Sequence, residues 1–242
     1  MKKILFVLLA ILLWVHFGVM TGGAADLTIK LGHIRDLKHP THLGALKFAE
    51  LVEKGTSGRV VVKVFPNSQL GGIQEMFTQV QTGDLQMVYG GINTFGFIDG
   101  GDAFEITAIP FLYRDYEHMR SSLLADFFKP VITDAEQKTG IKIMNIAGDT
   151  TPRGLTANRP LKTPADFKGL KIRTAASEVV LRSMKKLGAL PQQIPFAELY
   201  MALKTGVVDA QENGVIVVAT KSLFEVQKFY MKTDYIRDVE TF

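Results

Sequence analysis

The sequence predicts an α/β protein built as two consecutive blocks. Three observations carry that prediction. From Leu27 to Tyr89 the apolar pattern switches between period two and helical spacing in the order β-α-β-α-β, the mark of a parallel sheet covered by helices. A second alternation of the same kind runs from Thr163 to Ala210. The 242 residues are 47% hydrophobic and 21% charged, which is enough to bury one large core or two smaller ones. The blocks join near residues 148–152, and neither repeats the other in sequence.

Leu27 to Gly32 alternates apolar and polar residues, as a strand does. Pro40 and Thr41 open a helix with Leu43, Leu46, Ala49 and Leu51 near its apolar face, ending at Gly55 or Gly58. Arg59 to Phe65 is a valine-rich strand, and Pro66-Asn67-Ser68 turns the chain. Ile73 to Gln81 is helical in pattern and stops at Gly83; Leu85 to Tyr89 is a third strand. Gly90 to Asp102 is a glycine-rich loop, mobile or tightly turned, with neither P-loop nor GxGxxG spacing. The run YEHMRSSLLADFF is helical, Pro130 breaks it, a second helix runs to Lys138, and Ile141 to Ile146 is a strand.

In the second block, Thr163 caps a short helix with Pro164 at its first position, Asp166 beside it and Gly169 at its end. Leu170 to Arg173 is a strand, Ser177 to Leu187 a helix, Leu190 to Ile194 extended, Phe196 to Lys204 a helix, Val207 to Ala210 a strand and Leu223 to Met231 a helix. Arg173 therefore ends a strand, where open α/β sheets present side chains to a cleft. Its fork of donors suits a carboxylate, and a surface ion pair is the ordinary alternative.

Residues 1–25 read as a leader: Lys2 and Lys3, an apolar run from Ile4 to Met20, and small residues Gly23-Ala24-Ala25 before a cut expected after Ala25. The apolar run is long, so an uncleaved anchor is the alternative. The formal charge is +4, two of those charges being Lys2 and Lys3, which is too weak to make nucleic acid a partner. Cysteine is absent, so disulfides, thiolate metal sites and a cysteine nucleophile are excluded. His33, His39 and His42 cluster without a fixed carboxylate, and no metal or cofactor is expected. No GxSxG, HExxH or SxxK motif appears, and no enzyme activity is expected.

Four blocks then carry a resemblance: FPNSQLGG at Phe65 to Gly72, RGLTANRPLKTPADFKGLKIRT at Arg153 to Thr174, PFAELYMALKTGVVDAQEN at Pro195 to Asn213, and FEVQKFY at Phe224 to Tyr230. In this order they resemble the substrate-binding proteins of TRAP (tripartite ATP-independent periplasmic) transporters, of the dicarboxylate-receptor type. The resemblance covers Leu27 to Tyr230. It implies a periplasmic binding protein-like fold, with a first α/β lobe over residues 26–150 and a second over 151–242 around a ligand cleft. It also implies a monomeric periplasmic receptor that hands a small organic acid to a permease driven by an ion gradient. A periplasmic ligand-sensing or structural protein that kept the fold is the alternative.

By the same resemblance Arg173 pairs with the ligand carboxylate, Arg153 assists, Asn213 contacts the ligand and Phe196 packs on it. His33, Tyr89 and Asn93 fall where the first lobe contributes. Two departures bear on the site. Gly214 stands where relatives carry proline after QEN, which loosens the turn beside Asn213, and no acidic residue stands near Gly91, which argues against sialic acid. Family chains also continue well past the FEVQKFY helix, so the crossing back to the first lobe is expected to be largely absent and the return segment incomplete.

Overall fold

The computed structural model describes residues 25–242. The leader, up to Ala24, lies outside the described residues. Among the described residues no helix is long and apolar enough to cross a membrane.

β1 (Leu27–Gly32) lies between β2 (Val60–Phe65) and β3 (Met87–Val88), and all three are parallel. Parallel neighbours need crossovers, supplied by α1 (Pro40–Gly55) and α2 (Ile73–Thr82). His39 caps α1, its ring nitrogen accepting the Thr41 N–H at 3.2 Å, and α2 stops at Gly83 in left-handed backbone. The predicted apolar face of α1 is corrected. Leu43, Leu46 and Leu51 are exposed, whereas Thr41, His42 and Ala45 are buried and Phe48 and Val52 pack against β1 and β2. Spacing found the helix, but large leucines outside the sheet contact misled the choice of face.

The glycine-rich segment folds as β4 (Gly90–Gly91) and two 3₁₀ segments, Ile92–Phe97 and Asp102–Ala108. Helices α3 (Tyr116–Leu124) and α4 (Lys129–Thr139) follow. The strand expected from Ile141 to Ile146 instead begins at its far end, as β5 (Ile146–Asp149). Ile92, Phe95, Phe104, Met119 and Leu123 form the heart of this lobe's core.

The second lobe holds β6 (Arg153–Ala157), β7 (Lys171–Thr174), α5 (Glu178–Lys186), β8 (Leu190–Gln193), α6 (Leu199–Lys204), β9 (Ala210–Gly214) and α7 (Val215–Thr220). Its five-stranded sheet has the order β10-β6-β9-β7-β8, where β10 is Phe229–Ile236, with β7 parallel to β8 and β9. The strand expected at Val207 to Ala210 lies further on, and Gln211, Glu212 and Asn213 are buried within it. A polar run belongs inside a sheet only when each group is paired, and here each finds a partner.

The helix expected at Leu223 to Met231 is also corrected. Leu223–Glu225 is one 3₁₀ turn, and Phe229–Ile236 is the edge strand β10, antiparallel to β6. Pairing with β6 outweighs the local helical spacing. The crossing to the first lobe, expected to be largely absent, begins here. After Arg237 and Asp238 the chain enters β11 (Val239–Thr241), which pairs antiparallel between β4 and β5. Val239 is fully buried in the first-lobe core, and Phe242 stacks on Tyr89 with ring centroids 4.0 Å apart. Gly214 holds φ −69° and ψ 157°, a backbone that any residue can adopt, and a Cβ there would overlap Thr151.

Two acidic side chains are among those that tie the halves together. Glu105, from the second 3₁₀ segment, accepts the Ser177 hydroxyl at 2.6 Å and the backbone N–H groups of Glu178 and Val179, so it caps α5 from across the molecule. Asp238, on the crossing, accepts the Asn93 N–H at 3.4 Å and the Val239 N–H at 3.0 Å. It lies so close to Gly91 that a Cβ there would overlap its carboxylate. Burial, reinforced by Glu240, pushes its pKa up to about 7, against the pull of Arg153 and Arg35.

Replacing Glu105 by Ala removes its bonds to the start of α5, where the Ser177 hydroxyl still accepts the Val180 N–H, and is expected to cost about 1 kcal/mol. Urea unfolding checks this, and an unchanged midpoint contradicts it. Asp238 gives a pH signature. Its folded pKa is raised, so its contribution to stability is present at low pH and lost as pH rises toward about 7. His33 and His39, pushed down to about 4 and about 3 chiefly by burial, slope the opposite way, so a variant must isolate the Asp238 part. Asp238→Asn should gain stability over the wild type at about pH 8, and the gain should shrink at about pH 5. An equal difference at both pH values would refute the buried charge.

Candidate functional site

A cavity of about 560 Å³ lies between the lobes. The first lobe lines it with the turn after β1, the start of α2 and Asn93. The second lobe contributes Arg153, Arg173, Glu212, Asn213 and the segment Gln193 to Glu198, and Asp238 enters from the crossing.

Strand register explains how the second-lobe residues are dealt out. Arg173 is paired with Gln211, so Arg173, Gln211 and Asn213 issue from one face of the sheet. Arg153 is paired with Gly214 and Leu155 with Glu212, which puts Arg153 and Glu212 on the other face. The two arginines thus live in different surroundings.

Arg153 is committed within the protein. Its Nε and Nη2 donate to the two carboxylate oxygens of Glu212, the Nη2 bond being 2.6 Å, and Nη2 also reaches the Glu212 carbonyl at 3.0 Å. Tyr235 donates its hydroxyl to the same carboxylate at 2.8 Å. Burial disfavours the Arg153 charge, but Glu212 more than offsets it and holds the guanidinium pKa above its ordinary value.

Arg173 is not committed. It is 3% exposed, and among the described residues its side chain makes one hydrogen bond, from Nε to the Ile194 carbonyl at 2.8 Å. Among the described residues no carboxylate oxygen lies within 4.0 Å of it. Burial pushes its pKa down to about 10, and the Arg153 and Arg35 charges add to this while Glu212 opposes it. A buried guanidinium with free Nη donors facing a cavity is a site for an anion.

Asn213 donates its amide to Gln211 at 2.6 Å, and Gln211 donates to Thr156 at 3.0 Å, which fixes the Asn213 side chain at the cavity wall. Phe196 is 8% exposed and also lines the cavity, with Arg35 and Lys221 over its ring. Asn93 lines it from the first lobe.

Two expected residues lie elsewhere. His33 is fully buried; its Nε2 meets His42 Nδ1 at 3.1 Å and its Nδ1 accepts the Arg35 N–H, so it braces the turn behind the cavity wall. Tyr89 packs against Phe242 in the small core over β1, away from the cavity. Among the described residues, no three His, Cys, Asp or Glu side chains are grouped as a metal site. Sequence reasoning passed over Arg35, Glu212 and Asp238. Only for Glu212 was there a signal, its place between two candidate positions in the QEN run.

Residues 31–240 match the family model DctP, described as bacterial extracellular solute-binding protein, family 7. The chain is 38% identical over 207 residues to the C4-dicarboxylate-binding periplasmic protein DctP of Rhodobacter capsulatus, covering 85% of this chain and 61% of that one. It is 35% identical over 216 residues to the 2,3-diketo-L-gulonate-binding periplasmic protein YiaO of Escherichia coli, covering 89% and 65%. It therefore spans less than two thirds of the length of these curated relatives. A crystal structure of a TRAP periplasmic solute binding protein from Roseobacter denitrificans, with bound L-galactonate, superposes with a TM-score of 0.85 at 28% identity, covering 90% of this chain and 72% of that one. The chain belongs to the DctP family, family 7 of the bacterial extracellular solute-binding proteins.

Proposed function

We propose that the chain is a periplasmic receptor, without enzymatic activity, that binds a small organic acid and presents it to a TRAP-type permease. The observation that carries this reading is Arg173, buried at the cavity wall with free donors and no internal carboxylate. A ligand carboxylate entering the cavity loses water and must be paired; the planar fork of Arg173 supplies two parallel donors. The cavity volume of about 560 Å³ suits a small organic acid.

The other residues take supporting parts. Phe196 offers an apolar wall for the ligand's carbon chain. Asn213 keeps its Oδ1 for a ligand hydroxyl, since its amide nitrogen is given to Gln211. Arg153 acts through Glu212, holding that carboxylate away from Arg173 rather than gripping the ligand itself. Periplasmic relatives that bind C4-dicarboxylate and diketogulonate support the acid class, as does the relative crystallised with galactonate.

Arg173→Ala should weaken binding by roughly 3–5 kcal/mol, about a hundred- to a few thousand-fold in affinity. Calorimetry with succinate and galactonate measures it. A loss below about tenfold in a folded variant would count against the anchor. Arg173→Lys should not restore wild-type affinity, because an ammonium cannot reproduce the planar fork.

A further inference from the structure

Asp238 is an acid of the binding cavity that no cation grips. It lines the cavity with Arg173 and Asn213, and it also lines a second chamber of about 40 Å³ behind the crossing. It is 5% exposed. Its side-chain hydrogen bonds, from the Asn93 and Val239 N–H groups, both fall on Oδ1. Among the described residues no Lys, Arg or His nitrogen lies within 4.0 Å of its oxygens. A buried carboxylate is ordinarily paired with a cation; one that is not is held close to losing its charge.

The groups around Asp238 decide what a ligand does to that balance. Arg35, in the turn after β1, is in ion-pair contact with Glu240 at 3.8 Å. Arg153, on β6, spends its donors on Glu212 of β9. Glu240 on β11 and Asp149 on β5 are the other acids of the chamber, and His39, pushed down to about 3, is neutral there. Burial first, and then Glu240, already push Asp238 up to about 7. A ligand carboxylate on Arg173 adds a negative charge to the same cavity and covers a positive one. Two carboxylates in one water-poor site resist ionising together, and the one without a cation takes the proton. Neutral Asp238 keeps both N–H bonds on Oδ1 and carries the proton on Oδ2. The chamber is polar, large enough for water and walled in part by the exposed Asp149, so solvent can supply that proton.

We propose that Asp238 is the proton acceptor of the site, taking up a proton from solvent as an anionic ligand settles on Arg173, so that acid and proton bind together. This rests on the receptor function proposed above. The liganded protein holds the proton to higher pH than the free protein does. Affinity is therefore greatest below about pH 7 and falls as pH rises above it. A role for Asp238 in bracing the crossing alone would alter stability and leave the proton count of binding at zero.

Calorimetry on the full chain, with galactonate and with succinate, tests this at about pH 7.5 in phosphate and in Tris. The two buffers differ in their heat of ionisation, so the difference in binding heat counts the protons. Wild type is expected to take up a measurable fraction of a proton per ligand. Its affinity should fall about threefold or more between about pH 6.5 and about pH 8.5. Asp238→Asn should bind without uptake, and its affinity should be flat over that range. Glu240→Gln removes the neighbouring charge that helps to hold Asp238 up, so the fall in affinity should move to lower pH. Zero uptake by wild type overturns the proposal. So does uptake that survives in Asp238→Asn, which would assign the proton to another acid of the chamber. If Asp238→Asn fails to fold, Glu240→Gln carries the decision, and an unmoved pH profile counts against Asp238. Binding without proton uptake sinks the coupling alone, whereas binding of neither acid by wild type sinks the receptor function with it.

Discussion

Glu212 sits at the centre of the second-lobe sheet, fully buried, with the buried Arg173 and the part-buried Arg153 near it and one carboxylate to share. It gives both oxygens to Arg153 and accepts Tyr235 as well. Breaking such a pair by removing one partner would leave a buried charge uncompensated, a loss of about 3–5 kcal/mol. The pair locks β6, β9 and β10 together at the place where β10 leaves the sheet. Because its oxygens are saturated from one face of the sheet, Arg173 on the other face keeps its Nη donors. Alternation along two paired strands is thus what separates a structural arginine from an available one.

The crossing between the lobes follows from the same arrangement. β10 is anchored to β6 beside the Arg153 pair, and two residues later the chain is in the first-lobe sheet as β11. Asp238 is one of the two residues between, held by backbone N–H groups and pressed against Gly91. No acidic residue is near Gly91 in the sequence; in space the Asp238 carboxylate, from the crossing, lies against it. Its placement at the cavity wall makes the lobe connection and the binding site one structure.

Much of the fold could be read from local pattern. Parallel β-α units announce themselves through alternation and helix caps, and Pro40, Gly83, Thr163 and Gly188 mark ends that the structure keeps. What stayed hidden shares one cause. Gln211 to Asn213 look too polar for a central strand, and only cross-strand partners make burial affordable. The run Leu223 to Met231 reads as a helix, because an edge strand paired with distant β6 leaves no local trace. In the site, Arg173, Asn213 and Phe196 came from motif blocks. Arg35 carried no motif; it looks like a surface charge until Phe196 and Glu240, both far along the chain, close around it.

The protein also has to avoid neutralising its own site. The crossing brings Asp238 and Glu240 toward Arg35 and Arg153, and fully ionised carboxylates in hydrogen-bonding contact would occupy the donors a ligand needs. Geometry and burial both prevent this. Glu240 stands off from Arg35 at 3.8 Å, and its pKa is raised by burial. Asp238, pushed up to about 7, carries only part of a charge near neutral pH and spends its oxygen on backbone N–H groups. Neither internal acid therefore takes up the guanidinium donors that face the cavity. The placement of these carboxylates, as much as that of the arginines, leaves those donors open.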